Sequence, residues 1–138
     1  MFTYKRKIRL HDTDAAGIVF FSNYFLLFNE AYEALLDSAG ISLPEIIQGN
    51  KYHLPIARAE CDYKAPLFIT DAIEIKLNIE QIGESSFVVI SLFIKEDKTC
   101  AAIIKTVHVS VSAKTRKKIP LPKAFRDKMT KICNQIQT

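Results

Sequence analysis

Fifteen residues near the N-terminus, "HDTDAAGIVFFSNYF" (11–25), hold two carboxylates, Asp12 and Asp14, then Gly17 and an almost unbroken apolar run. A carboxylate at the mouth of a hydrophobic segment can cap a helix, bond the N–H groups of its own loop, or act on an electrophile as base or nucleophile. Capping does not account for Asp14, which stands eight residues before Ser22, the best cap for the helix that follows. Asp12 is expected to bond loop N–H groups or simply to be solvated. The other titratable candidates are weaker. His11 is a lone loop histidine, and such residues are usually solvated. Glu30 and Glu33 lie mid-helix, and His53 and His108 read as structural or surface residues. Cys61, Cys100 and Cys133 are an odd number with no CxxC pair, which suits a reducing cytosol and argues against a zinc or disulfide framework.

The frame around these residues is modest in size. The chain has 138 residues, 49% of them apolar, which is expected to make one domain (1–138) with a sizeable core. Mean hydropathy is +0.07, yet no uncharged apolar stretch is long enough to span a bilayer. The opening "MFTYKRKIRL" lacks the continuous apolar stretch of a signal peptide, so a cytoplasmic location is expected. The net charge of +4 is unevenly spread. Lys114, Arg116, Lys117, Lys118, Lys123, Arg126, Lys128 and Lys131 face a single acid, Asp127. That segment is either a solvated tail or a patch attracting phosphates. No aromatics interleave with "KTRKK" and no nucleic-acid motif accompanies it, so nucleic acid is not an expected partner.

Residues 2–10 predict a half-buried strand, with Phe2, Tyr4, Ile8 and Leu10 on one parity and only Arg6 breaking the pattern. A loop over 11–21 follows. Residues 23–39 predict a helix with a narrow polar stripe of Leu26, Glu30, Glu33 and Asp37, wrapped on most of its circumference and stopped by Gly40. A short second helix is expected to end near Gly49. Strands are predicted over 54–63, 72–82, 85–95 and 100–113. The third of these four is apolar on both faces and therefore central. A final helix is expected over 123–136. Short turns between successive strands imply antiparallel pairing. The result is an α+β domain in which a curved antiparallel sheet of about five strands wraps one long helix.

The opening stretch and this order of elements resemble the hotdog-fold thioesterases of the 4-hydroxybenzoyl-CoA thioesterase family. The family pattern runs Asp-x-Asp-x-x-Gly-x-Val, two aromatics, then x-Asn-Tyr. Here Asp12, Asp14, Gly17, Val19, Phe20, Phe21, Asn23 and Tyr24 stand at those places. The resemblance covers almost the whole chain, including an Ala65–Pro66 turn and Asp71 before the next strand. "NEAYEALLDSAGISLPEII" and "HLPI…DYKAPL" look closer still to the 1,4-dihydroxy-2-naphthoyl-CoA thioesterases. The Gly83–Ser86 turn also resembles that of short-chain acyl-CoA thioesterases.

The resemblance implies hydrolysis of an acyl-CoA thioester without a metal or cofactor, in a homodimer or homotetramer. Asp14 would be the catalytic carboxylate, as nucleophile or as general base. The backbone N–H of Phe21 would stabilise the oxyanion, and Gly17 would let the loop turn tightly. Phe20, Asn23, Tyr24 and Arg58 would contact substrate or shape its loop, and a helical Glu is the reserve for the carboxylate. Some aromatic-CoA members carry a basic cluster in the turn after the third strand. Here that turn is "QIGESSF", with no Lys or Arg, which leaves Arg58, Lys64 and the basic tail as phosphate candidates. The acyl group is expected to be aromatic, with a short aliphatic chain, or a non-catalytic acyl-CoA-binding module, as alternatives. A hydratase is disfavoured because no His follows Asp14 at short spacing.

Overall fold

The computed structural model describes residues 1–137. Strand β1 (Phe2–Lys7) alternates half-buried and exposed side chains. Arg6 occupies an inward position and does not break the pattern. The strand stops earlier than predicted. Ile8 is still held by backbone bonds to Thr70 and Asp71, but a single 3-10 turn then forms at Leu10–Asp12 and turns Leu10 out to 75% exposure.

Helix α1 (Asn23–Ser38) buries Tyr24, Leu27, Phe28, Ala31, Tyr32, Leu35 and Leu36, the i, i+3, i+4 spacing of one broad face. Each such Leu or Phe contributes about 1.5–3 kcal/mol by leaving water. Leu26, Glu33 and Asp37 face solvent, as the narrow stripe predicts, and Glu30 is half-buried. Gly40 ends the helix at a φ of +72°, a conformation that costs glycine little. Helix α2 (Leu43–Gly49) starts where the Ser42 hydroxyl accepts the Glu45 N–H and ends at left-handed Asn50.

The remaining strands are β2 (Tyr52–His53), β3 (Ile56–Tyr63), β4 (Ala72–Ile82), β5 (Ser86–Lys95), β6 (Cys100–Val109) and β7 (Val111–Ser112). The main sheet is antiparallel with the order β1-β4-β5-β6-β3. β5 is the middle strand, which is why Val88, Ile90, Leu92 and Ile94 on its second face are also half-buried. The two-stranded β2–β7 pair was not expected from sequence; it splits the predicted 100–113 strand at Ser110. Irregularities in register at Ile56/Arg58, Ile79/Gln81 and Phe93/Ile94 add bend and twist to the sheet.

The expectation of one long helix needs correction. Helix α3 (Lys123–Gln137) is nearly as long as α1 and buries Phe125, Met129 and Ile132 in the same apolar cluster. Its Arg126 donates to the Gly83 and Glu84 carbonyls, and Lys128 donates to the Gly40 carbonyl. Part of the basic segment therefore holds the fold. Among the described residues, no helix is long and apolar enough to cross a membrane.

The core also holds an imidazole, that of His108. His108 lies between the rings of Tyr32 and Phe87, with centroids 4.8 and 4.7 Å away, and its Nε2 is 2.8 Å from the Thr106 hydroxyl. Burial pushes its pKa down to about 4 from 6.5. Below 6.5 the unfolded chain takes up a proton that the folded imidazole refuses until about 4. Stability therefore falls as pH drops through that window, by about 2 kcal/mol between pH 7 and 5. Urea unfolding at the two pH values measures this, and His108→Phe is expected to flatten the difference. An unchanged difference in that variant would assign the loss to other groups.

Candidate functional site

The loop between β1 and α1 is tightly cross-bonded. The Asp14 N–H donates to the Ile18 carbonyl at 2.9 Å, and the Gly17 N–H donates to the Asp14 carbonyl at 3.0 Å. Gly17 sits at a φ of +80°, so the turn requires a residue that tolerates the left-handed region. One Asp14 carboxylate oxygen accepts the Ala16 N–H at 2.8 Å, and the side chain is otherwise exposed. Bridges Thr13–Val19 and Ile18–Phe68 tie the loop to itself and to the segment before β4.

Asp14 opens on a cleft of about 420 Å³ lined also by Ile18, Phe20, Phe21, Tyr24, Tyr63 and Lys64. The chain passes from this cleft into α1 through a turn in which the Asn23 N–H donates to the Phe20 carbonyl at 2.8 Å. That bond fixes the plane of the Phe20–Phe21 peptide. Among the described residues nothing accepts the Phe21 N–H, so it is available at the start of the helix, where the dipole favours negative charge. The Ser22 side chain makes no capping bond, contrary to its selection as the best cap. The Asn23 side chain donates instead to the Asp12 carbonyl at 3.0 Å and orients the loop.

Asp12 has the structural alternative of its two expected roles. It is 5% exposed and accepts the Arg9 N–H at 2.8 Å and two Arg6 donors at 2.7 and 3.2 Å. Burial pushes its pKa up, but the Arg6 and Arg9 bonds outweigh burial and hold it below the usual value. Arg6 also bonds both oxygens of Glu30, at 3.0 and 3.1 Å. Sequence reasoning missed Arg6. The available signal was a charged residue on the inward parity of a half-buried strand, which has to find a partner. Tyr63 was also missed. Its hydroxyl donates to the Phe21 carbonyl at 2.8 Å, and its ring meets Tyr24 edge-on at 5.1 Å.

The other candidates separate cleanly. Phe20, Phe21 and Tyr24 line the cleft with Asp14, and Tyr24 is also core. Phe28 stacks on Tyr32 in the core at 5.9 Å. Arg58 is not among the cleft residues; it lies on the edge strand, 3.6 Å from Glu60. Lys64 takes its place at the cleft and has no ion-pair partner among the described residues. Glu30 and Glu33 line a different groove, with Tyr4, Asp37 and Ile41. His11 is exposed beside Asp12, 3.5 Å from its carboxylate.

A carboxylate on a partly apolar cleft, beside an unpaired backbone N–H at the entry to a helix packed on an antiparallel sheet, is an arrangement chemically able to serve acyl transfer to water. The chain belongs to the thioesterase-like superfamily, whose family model matches residues 8–129. Among individual relatives, it is 36% identical over 124 residues to the 1,4-dihydroxy-2-naphthoyl-CoA hydrolase of Rippkaea orientalis, spanning 88% of this chain and 90% of that one. The crystal structure of a 1,4-dihydroxy-2-naphthoyl-CoA thioesterase from Synechocystis superposes with a TM-score of 0.89 at 34% identity, covering 94% of this chain and 95% of that one. A gentisyl-coenzyme A thioesterase superposes with a TM-score of 0.81 at 31% identity, covering 93% and 98%.

Proposed function

We propose that this protein hydrolyses an aromatic acyl-CoA thioester, with 1,4-dihydroxy-2-naphthoyl-CoA the foremost candidate, in the cytoplasm and as a homo-oligomer. The observation that carries the reading is the meeting of Asp14, the unpaired Phe21 N–H and the rings of Phe20, Phe21, Tyr24 and Tyr63 around one cleft. With the thioester carbonyl oxygen on the Phe21 N–H, the developing oxyanion gains a donor typically worth about 3 kcal/mol. Asp14 then either attacks the carbonyl carbon, giving a mixed anhydride that water opens, or takes a proton from the water that attacks. By both routes the C–S bond breaks, CoA leaves as thiol, and the acid is released. Flat acyl groups gain from stacking on the aromatic walls. Lys64 is the cation placed to meet the anionic part of CoA, an attraction that weakens as salt rises.

The oligomer is supported by β3. All of this strand except Cys61 is exposed, it forms one edge of the sheet, and Tyr63 at its end already lines the cleft. Pairing two such edges across a two-fold axis would place the partner beside the cleft and cover the open edge. The relatives' named substrates and the aromatic lining favour naphthoyl over aliphatic acyl groups.

The test is thiol release across benzoyl-, 1,4-dihydroxy-2-naphthoyl-, butyryl- and palmitoyl-CoA. The naphthoyl thioester is expected to have the highest kcat/KM, by at least ~10-fold over palmitoyl, the scale on which a fitted pocket discriminates. Preference for palmitoyl-CoA would sink the aromatic assignment and leave the hydrolase standing. Binding of every thioester with release from none would replace the enzyme by a binding module.

A further inference from the structure

Resting on the hydrolase reading above, we propose that Glu30, Arg6 and Asp12 form a strut that aims the Phe21 N–H at the substrate, with Glu30 a positioning residue two turns away from that N–H. The guanidinium of Arg6 uses all of its donors in one plane. Nε and Nη2 bond the two Glu30 oxygens, Nη2 and Nη1 bond the two Asp12 oxygens, and Nη1 also reaches the Lys7 carbonyl at 2.6 Å. An arginine can hold two carboxylates in this fork-to-fork manner, whereas a lysine presents only a point charge. Glu30 is anchored in turn by the Tyr4 hydroxyl at 3.0 Å.

The path from the strut to the donor is continuous. The Asp12 carbonyl accepts the Phe20 N–H at 3.1 Å and the Asn23 side chain at 3.0 Å. The Asn23 N–H holds the Phe20 carbonyl, and that carbonyl shares its peptide plane with the Phe21 N–H. Moving Asp12 therefore rotates the donor. The carboxylate of Asp12 is buried, and among the described residues Arg6 and the Arg9 N–H are its hydrogen-bond donors. Both Glu30 oxygens are committed to Arg6, one also to Tyr4, and the residue lines a groove separate from that of Asp14. These facts suit positioning and set the Glu30 carboxylate in a groove apart from the cleft of Asp14.

Glu30→Gln tests this, because the side chain is 39% exposed and the substitution keeps its shape. The expected result is a fall in kcat of about 10-fold with KM within about twofold, since small misplacement of a transition-state donor is felt mainly in kcat. The acid limb of the pH–rate profile should stay where it is in wild type. Combining Glu30→Gln with Asp12→Asn should cost no more than Asp12→Asn alone, the signature of one chain of contacts. Amide exchange of the peptide 11–22, measured without substrate, should rise in Glu30→Gln while the melting temperature holds. Wild-type kcat and wild-type exchange in Glu30→Gln would reduce the trio to a stabilising ion pair. Multiplicative losses in the double variant would break the chain. Loss as deep as that of Asp14→Asn, with the acid limb gone, would make Glu30 the base. If wild type hydrolyses no thioester, the hydrolase reading fails, and the exchange of 11–22 still decides the strut.

Discussion

Asp14→Asn is expected to lower kcat by at least ~100-fold, the range that loss of a general base or carboxylate nucleophile allows. Asn keeps the size of the side chain and still accepts the Ala16 N–H, the one hydrogen bond that the Asp14 carboxylate makes among the described residues. It loses the negative charge needed to attack the carbonyl or to take a proton from water. The side chain is exposed and adds little packing, so thermal unfolding should match wild type. The same thiol-release assay, run at saturating substrate, reads the effect. Near wild-type turnover with an unchanged fold would remove Asp14 from the chemistry and make Glu33 and Glu30 the next carboxylates to test.

The second large effect is expected from the sheet edge. Successive residues of a strand direct their N–H groups to opposite sides, so of Ala59 and Glu60 one bonds β6 and the other points away from the sheet. Ala59→Pro and Glu60→Pro each remove one donor. The variant that loses the outward donor should keep the β3–β6 pairing and yet run as a monomer in light scattering. Its kcat/KM should fall by about 100-fold if, as proposed, the partner subunit completes the cleft beside Tyr63 and aligns the bound substrate. A monomer of full activity would show that one chain holds a complete site. If both variants remain dimeric with β3 intact, the two-fold contact lies elsewhere.

Much of this protein is legible in one dimension. The alternation of Ile73, Ile75, Leu77 and Ile79, the helical spacing of Leu27, Ala31 and Leu35 and the stop at Gly40 each report a burial pattern that the local backbone imposes. The doubly apolar 85–95 segment announced a central strand, and β5 is the middle strand, one face buried and the other half-buried between its two neighbours. The Asp14–Gly17 turn was legible because its bonds are local, Asp14 bonding residues two to four positions away, whereas the roles of Asp14 and Phe21 come from the family pattern.

What only the tertiary structure decided lies between segments distant in sequence. Arg6 looked like a break in a strand pattern until the docking of α1 brought Glu30, 24 residues away, onto it. Tyr63 reached the Phe21 carbonyl from 42 residues away. Lys64, and not Arg58, came to the cleft because β3 ends there while Arg58 lies back along the exposed edge. The burial of α3 in the core and the β2–β7 pair likewise depend on how the sheet is covered. Periodicity tells each segment which side to bury, because that choice is made against its own backbone. Which polar groups then meet is settled by strand register and by the rotation of a docked helix, and these are properties of the assembled core that no single segment carries.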